Sequence, residues 1–233
     1  MHKIPETLHY LISEILEEKQ INADRVAEFL KRTDIKEHEL TDFVNFNHSE
    51  KESYGRNIIF DGGFFKLMLM SWNKFDFTAI HDHGQVEWGA VKSFGEMINL
   101  EYDYEDGILN LSKNEILKKG EVTMVTSDLI HQAGNNSDKS AITMHLYGSN
   151  TVSENISLNS RIFDCIDNRI FYTTGAAYLK LPSNIILKKD EKLNVDIASF
   201  EYDKLIRMNF FNQNEKRFKK ELINLNKITY EYA

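Results

Sequence analysis

The sequence predicts a mainly β protein, folded as a sandwich or barrel, with helical segments before and after it. Many short strand-like runs follow one another at close spacing from about Asn57 onward, and turn-type residues separate them. The segments on either side carry apolar residues at helical spacing instead. A chain of 233 residues is long enough to bury a sizeable core. We therefore divide the chain into a helical segment (1–49), a barrel (50–182) and a helical extension (183–233).

Two helices are predicted in residues 6–31, where apolar residues recur at spacings of three and four. Asn22 or Asp24 could cap the second helix. The run "IKEHELTDFVNF" (35–46) predicts a third, shorter helix. The apolar positions of the first two helices are Leu8, Leu11, Ile12, Ile15, Val26, Phe29 and Leu30.

The barrel segment begins with "NIIFDGGFFKLMLMSW" (57–72), which predicts a hairpin of two strands around the turn "DGG". Turn-type residues such as "EDG" and "NNSDK" separate the later strand-like runs. These runs are "FDFTAI" (75–80), "GAVKSF" (89–94), "MINLEYDY" (97–104), "GEVTMVT" (120–126), "SAITMHLYG" (140–148) and "RIFYTTG" (169–175).

After Pro182 the apolar pattern becomes helical again, and we expect this charged segment to pack on the barrel or on a partner subunit. Its apolar residues fall roughly on one helical face: Leu205, Met208, Phe211, Phe218, Leu222 and Leu225.

Composition excludes several classes of protein. A formal net charge of −8 gives no general attraction for nucleic acid or for an anionic membrane. Cys165 is the single cysteine, so no disulfide can form within the chain, and a reducing compartment is the natural setting. Residues 1–20 lack the apolar core of a signal peptide, and no apolar run approaches membrane-spanning length. We expect a cytoplasmic protein that is a monomer or a homodimer.

Two histidines stand two positions apart in "AIHDHGQVEW" (79–88). In a strand, residues i and i+2 point to the same face, so His81 and His83 would project together as two ligands for one metal ion. A third ligand would come from His131 or His145. The alternative is that these histidines are buried structural residues with ordinary hydrogen bonds.

The order of these residues resembles a known family. The chain resembles the two-part signature of the cupins. The first part corresponds to His81, His83, Glu87 and Gly95, and the second to Gly120, His131 and Asn135. The runs "YGRN", "IHDHG", "IHQAGN" and "MHLYG", over about residues 50–180, resemble the cysteine dioxygenase family of thiol dioxygenases within the cupins. The resemblance implies a double-stranded β-helix (jelly-roll) barrel with the metal inside it.

The resemblance also implies a metal and substrate site. His81, His83 and His131 correspond to the family's three Fe(II) ligands. Arg56, with Tyr54 beside it, corresponds to the arginine that binds the substrate carboxylate. His145 and Tyr147 correspond to a hydrogen-bonded catalytic pair, with Thr143 in place of the hydroxyl residue that orients the histidine. The implied reaction is oxidation of cysteine by O₂ to cysteine sulfinate, and Arg56 favours cysteine over 3-mercaptopropionate.

Some alternatives remain at the level of sequence. Counted by spacing, Trp88 falls where animal members carry a cysteine crosslinked to the tyrosine, so Tyr147 is expected to be uncrosslinked. Glu87 could instead be a fourth metal ligand, which would indicate another cupin oxygenase or an isomerase. A non-catalytic cupin that binds a small thiol or acid is a third hypothesis. "NEKRFKK" is most simply a solvated helix face rather than a nucleic-acid contact.

Overall fold

The computed structural model of the chain describes residues 3–152, 154–190, 192–213 and 215–229. The α-helices are α1 (Glu6–Glu17), α2 (Ala23–Arg32), α3 (Ile197–Gln213) and α4 (Glu215–Leu225), with 3₁₀ turns at Glu37–Phe43 and Ser183–Ile185. The strands are β1 (Gly55–Asp61), β2 (Phe65–Trp72), β3 (Ile80–His81), β4 (Trp88–Ser93), β5 (Met97–Glu105), β6 (Ile108–Leu117), β7 (Val122–Thr126), β8 (Ile130–Gly134), β9 (Ala141–Gly148), β10 (Ser160–Asp164), β11 (Arg169–Thr173), β12 (Ile186–Asp190) and β13 (Asn194–Val195).

The strands form two sheets, which confirms the mainly β fold class. The smaller sheet has the order β1-β2-β9-β4-β7, and the larger has the order β12-β11-β10-β3-β8-β5-β6-β13. Neighbouring strands are antiparallel except for the short parallel pair of β13 with β6. Residues of both sheets line one enclosed cavity, so the sheets face each other as the two halves of a barrel.

Helices cover the outer faces of both sheets. Apolar side chains of α1 and α2 pack on the smaller sheet, and those of α3 and α4 pack on the larger one. Strand β9 is therefore buried along its whole length, with helices on one side and the cavity on the other. The cap of α2 is Asn22 rather than Asp24, because its side-chain oxygen accepts a hydrogen bond from the Arg25 N–H (2.9 Å).

The predicted hairpin is confirmed: β1 and β2 pair antiparallel, from Gly55 opposite Ser71 to Asp61 opposite Lys66. The turn places Gly63 at a φ of 79°, in the left-handed region that suits glycine.

Four local predictions need correction. The run "FDFTAI" is not a strand before Ile80, because Phe75 adopts a φ of 65° and the next residues form only isolated bridges. Residues 37–43 form a 3₁₀ turn rather than an α-helix. The segment after Pro182 is not helical at first, because β12 pairs with β11 and β13 with β6 before α3 begins. Leu205 does not belong to the buried face of α3, since it is 54% exposed.

None of the helices in the described residues combines the length and the apolar character needed to cross a bilayer.

Candidate metal centre

Two of the three predicted ligands lie on adjacent strands. His81 on β3 is directly opposite His131 on β8 in the antiparallel register. His83 follows just after β3, at the entry to a turn where Gly84 has a φ of 65°. A Cβ atom on Gly84 would lie 2.5 Å from the Leu158 carbonyl oxygen, so only glycine fits this close approach of the backbone. Strand pairing and this turn therefore bring the histidines to one place.

The three imidazole rings converge, as the spacing of the first two predicted. One ring nitrogen from each histidine lies within 4.8 Å of one from each of the others. The ring centroids are 4.7 to 5.0 Å apart. The three histidines therefore form a group that could hold one metal ion.

The hydrogen bonds of the rings show which nitrogens are free. His81 Nδ1 donates to the Ala79 carbonyl oxygen (2.9 Å), and His131 Nδ1 donates to Asn99 Oδ1 (2.8 Å), so both rings keep the lone pair on Nε2. Both ring nitrogens of buried His83 lack any hydrogen-bond partner. A buried polar group without a partner is costly, and a metal ion is the partner that the surrounding nitrogens suit. Asn99 was not among the site residues predicted from the sequence.

Electrostatics keep these histidines neutral. Burial lowers the pKa of His81 below its ordinary value. For His83 and His131, burial followed by the charge of neighbouring histidines lowers the pKa well below that value. Neutral imidazole is the form that binds metal, so the site is in its ligand form at neutral pH.

The opposite wall of the cavity carries a chain of hydrogen bonds. Trp72 Nε1 donates to Thr143 Oγ1 (2.8 Å), which lies 2.6 Å from His145 Nε2. His145 Nδ1 in turn lies 2.5 Å from the Tyr147 hydroxyl oxygen. Thr143, His145 and Tyr147 share one face of β9 because they are two residues apart. Trp72 was not among the site residues predicted from the sequence.

The donor and acceptor roles along these hydrogen bonds start from Trp72. An indole N–H can only donate, so Thr143 accepts from Trp72, and its own hydrogen is available for His145 Nε2. When Thr143 donates to Nε2, His145 carries its hydrogen on Nδ1 and donates to Tyr147. Tyr147 is left with a hydroxyl hydrogen to donate into the cavity.

Burial keeps both His145 and Tyr147 uncharged. Burial, then the positive charge of Arg56, lowers the pKa of His145 to about 3. Burial also raises the pKa of the Tyr147 hydroxyl above its ordinary value. His145 is therefore neutral and Tyr147 protonated at neutral pH.

Arg56 lines the same cavity of about 40 Å³ as the three histidines. Its Nη2 atom contacts Met68 Sδ at 3.2 Å, and no carboxylate of the described residues is paired with it. Tyr54 also lines the cavity, stacked on Trp72 with ring centroids 5.0 Å apart, and its hydroxyl oxygen accepts from the Ala177 N–H (3.2 Å). The cavity thus combines one unpaired cation, hydroxyl groups and the three neutral imidazoles of the candidate ligands. Asp82 also lines it, but its carboxylate is already paired with Arg161 at 2.5 Å.

One expectation about β4 is wrong. Gly89, not Trp88, is opposite Tyr147, and a Cβ atom there would lie 2.5 Å from Tyr147 Cδ1. Trp88 points to the opposite face of the strand, where it packs in the core under the N-terminal helices. The expected absence of a cysteine beside Tyr147 still stands, because the adjacent residue is glycine.

Glu87 is not a member of the metal-ligand group. Its carboxylate accepts hydrogen bonds from the backbone N–H of Asn150 (2.7 Å) and from the Thr151 hydroxyl. It holds the loop after β9, so the hypothesis of a three-histidine, one-glutamate site is wrong.

A barrel of two facing sheets, with three inward-pointing histidines in its cavity, defines the class of protein as a metal-binding cupin. The particular family follows from comparison with known proteins. Residues 3–152 match the family model described as cysteine dioxygenase type I, and the chain belongs to that family.

Solved structures show similarities over part of the chain. An uncharacterized conserved protein with a double-stranded β-helix domain from Klebsiella pneumoniae is 17% identical, with a TM-score of 0.37 over 52% of this chain and 94% of its own. A Cupin 2 conserved barrel domain protein from Salinispora arenicola is 12% identical, with a TM-score of 0.31 over 41% of this chain and 76% of its own. An oxalate oxidase in complex with glycolate is 12% identical, with a TM-score of 0.37 over 43% of this chain and 53% of its own.

Proposed function

We propose that this protein is a non-haem Fe(II) thiol dioxygenase that oxidises L-cysteine with O₂ to cysteine sulfinate. Both oxygen atoms pass to sulfur, which loses four electrons while O₂ gains four, and the thiol proton is released. The reaction balances without a co-reductant. Membership of the cysteine dioxygenase type I family supports the reaction class.

One observation carries the proposal: the unpaired Arg56 shares a small enclosed cavity with three neutral histidines. Three neutral imidazoles leave the charge of a divalent ion intact, and the guanidinium adds one more positive charge. Such a cavity favours a small ligand with two negative groups. The thiolate and the carboxylate of cysteine provide both.

The three ring nitrogens fit a divalent metal, and His81, His83 and His131 would hold it. We assign Fe(II) by family membership, since the same donors also accept zinc, nickel or copper. When bound, iron would supply positions for thiolate and O₂ and the redox chemistry that dioxygen requires.

Arg56 would bind the substrate carboxylate, because a planar guanidinium can donate two parallel hydrogen bonds to it. Tyr54 accepts from a backbone N–H through its oxygen, so its hydroxyl hydrogen is free to bond the substrate. The cavity is a small pocket between the two sheets. These features favour an amino acid thiol over a larger thiol or a peptide.

Tyr147 would act as a hydrogen-bond donor to the reacting groups. Its direction is set by His145 and Thr143, which fix the hydroxyl hydrogen toward the cavity. Apolar side chains such as Met68, Met70 and Ala177 line the cavity beside these polar groups.

The proposal is tested by oxygen consumption of protein reconstituted anaerobically with Fe(II). Adding L-cysteine should give uptake of one O₂ per cysteine sulfinate formed, and ¹⁸O₂ should place two labelled atoms in the product. The His131→Ala variant should lose both activity and bound iron.

A protein that binds one iron per chain but consumes no O₂ with cysteine or other small thiols would contradict the proposal. It would support the remaining hypothesis, a non-catalytic cupin that binds a small thiol or acid.

A further inference from the structure

The buried residue Asn99 lies beside the third metal ligand. Asn99 on β5 is 3% exposed, and its Oδ1 atom is 2.8 Å from His131 Nδ1. An amide oxygen only accepts hydrogen bonds, so His131 must carry its hydrogen on Nδ1 and present the Nε2 lone pair to the cavity. The orientation of one amide therefore determines which nitrogen can bind metal.

Two carboxylates hold that amide in place. Asn99 Nδ2 donates to Glu101 Oε1 and to Glu115 Oε1, each at 3.1 Å. A flipped amide would set its oxygen against both carboxylates and its NH₂ group against the ring hydrogen of His131. Lys113 pairs with both glutamates, at 3.3 Å to Glu101 and 2.6 Å to Glu115. The amide therefore has one favourable orientation.

The ionisation state of Glu115 agrees with this orientation of the Asn99 amide. Partial burial pushes the pKa of Glu115 upward, but hydrogen bonds from Lys113 and Asn99 outweigh it and bring the pKa below its ordinary value. Glu115 is thus an ionised carboxylate at neutral pH, which accepts hydrogen bonds and cannot donate them.

The other two ligands are held differently. His81 is oriented by a backbone carbonyl, which no substitution removes, and His83 has no hydrogen-bond partner at all. Within the described part of the chain, Asn99 is the one side chain whose hydrogen bond orients a ligand ring. It is also neutral, so it orients His131 without adding negative charge to the cavity.

We propose that Asn99, locked by Glu101 and Glu115, is the positioning residue that fixes the tautomer and ring orientation of His131. It thereby sets the affinity of the three-histidine site for a divalent metal. This inference rests on the metal-dependent function proposed above, but it does not depend on which thiol is oxidised.

The first test measures Co(II) affinity by visible absorption, with no substrate present. Asn99→Leu should bind Co(II) about 10- to 100-fold more weakly than the parent protein, the range typical of lost partners of metal-binding histidines. Asn114→Leu makes the same change on the exposed face of the neighbouring strand β6 and should leave the affinity unchanged.

A second readout reports the tautomer itself. In ¹⁵N-histidine NMR spectra of the metal-free protein, His131 should be protonated on Nδ1, and this preference should weaken in Asn99→Leu. If Asn99→Leu does not fold, the Glu101→Gln/Glu115→Gln variant serves in its place. Glutamine can accept or donate a hydrogen bond, so the Asn99 amide can keep its hydrogen bonds in either orientation. We therefore expect a smaller loss of Co(II) affinity than in Asn99→Leu.

Rescue separates positioning from packing. Asn99→Asp combined with Glu101→Gln and Glu115→Gln restores an acceptor for His131 and donors for residue 99, so Co(II) affinity should return. The inference would be overturned if Co(II) affinity were unchanged in both Asn99→Leu and the double glutamine variant. It would also be overturned if His131 were protonated on Nε2 in the parent protein. Parent protein that binds Co(II) but shows no thiol oxidation with iron would instead overturn the proposed reaction.

Discussion

The substitution Thr143→Val tests the hydrogen-bond chain that directs Tyr147. Valine has nearly the shape of threonine but no hydroxyl, so packing is kept while two hydrogen bonds are lost. Trp72 Nε1 and His145 Nε2 would both be left without their partner, and both side chains are buried. Each unsatisfied buried group costs about 1–3 kcal/mol, so the free energy of unfolding should fall by about 2–6 kcal/mol.

The same substitution should lower activity without removing the metal. Without the threonine hydroxyl, nothing fixes the hydrogen of His145 on Nδ1, and the Tyr147 hydroxyl can turn to donate to His145 instead of into the cavity. We expect kcat to fall about 10- to 100-fold, as for other supporting residues around a metal site, with metal affinity unchanged. Urea unfolding, steady-state oxygen uptake and metal titration measure the three quantities.

Thr143→Ser is the matched control, because it keeps the hydroxyl and should retain most of the stability and activity. Trp72→Phe removes only the first donor, so it should be milder than Thr143→Val. The argument fails if Thr143→Val matches the parent protein in both unfolding free energy and kcat.

Three further predictions concern the same cavity. Gly89→Ala places a Cβ atom 2.5 Å from the Tyr147 ring, so the ring must move; kcat should fall about 10- to 100-fold with unchanged metal affinity, and an unchanged kcat would contradict this. Arg56→Gln should raise the KM for cysteine about 10- to 100-fold through loss of about 1.5–3 kcal/mol from charged hydrogen bonds, whereas oxidation of cysteamine, which has no carboxylate, should not respond in the same assay. The metal-free protein should be less stable at pH 5.0 than at pH 7.5 in urea unfolding. His145 has a pKa of about 3 when folded and an ordinary value of 6.5, so below pH 6.5 the unfolded chain binds the extra proton and this group alone costs about 2 kcal/mol by pH 5.0. His81, His83 and His131, whose pKa values burial also lowers, add to this loss. His48, whose pKa is raised by Asp76 against the effect of burial, offsets part of this loss, and a higher stability at pH 5.0 would refute the argument.

Local pattern was enough to predict much of the fold. The first two helices and the β1–β2 hairpin follow from apolar spacing and from the turn "DGG", because both depend on residues close in sequence. The convergence of His81 with His83 also follows from local geometry, since residues i and i+2 of an extended chain share a face.

The C-terminal segment shows where local pattern fails. Residues 186–190 form an edge strand of the larger sheet because they pair with β11. This pairing depends on residues outside the segment, so the local sequence pattern does not predict it. The same holds for β13, which pairs with β6 from some 85 residues earlier.

Within the site, the sequence by itself determined which residue types are available: three histidines, an arginine and a Thr-x-His-x-Tyr strand. Only the tertiary structure decided their neighbours. Gly89 rather than Trp88 lies against Tyr147, and Asn99 lies against His131. The reason is register: a shift of one residue between paired strands moves every side chain to the other face, and register is set by pairing across the sheet rather than by spacing along the chain.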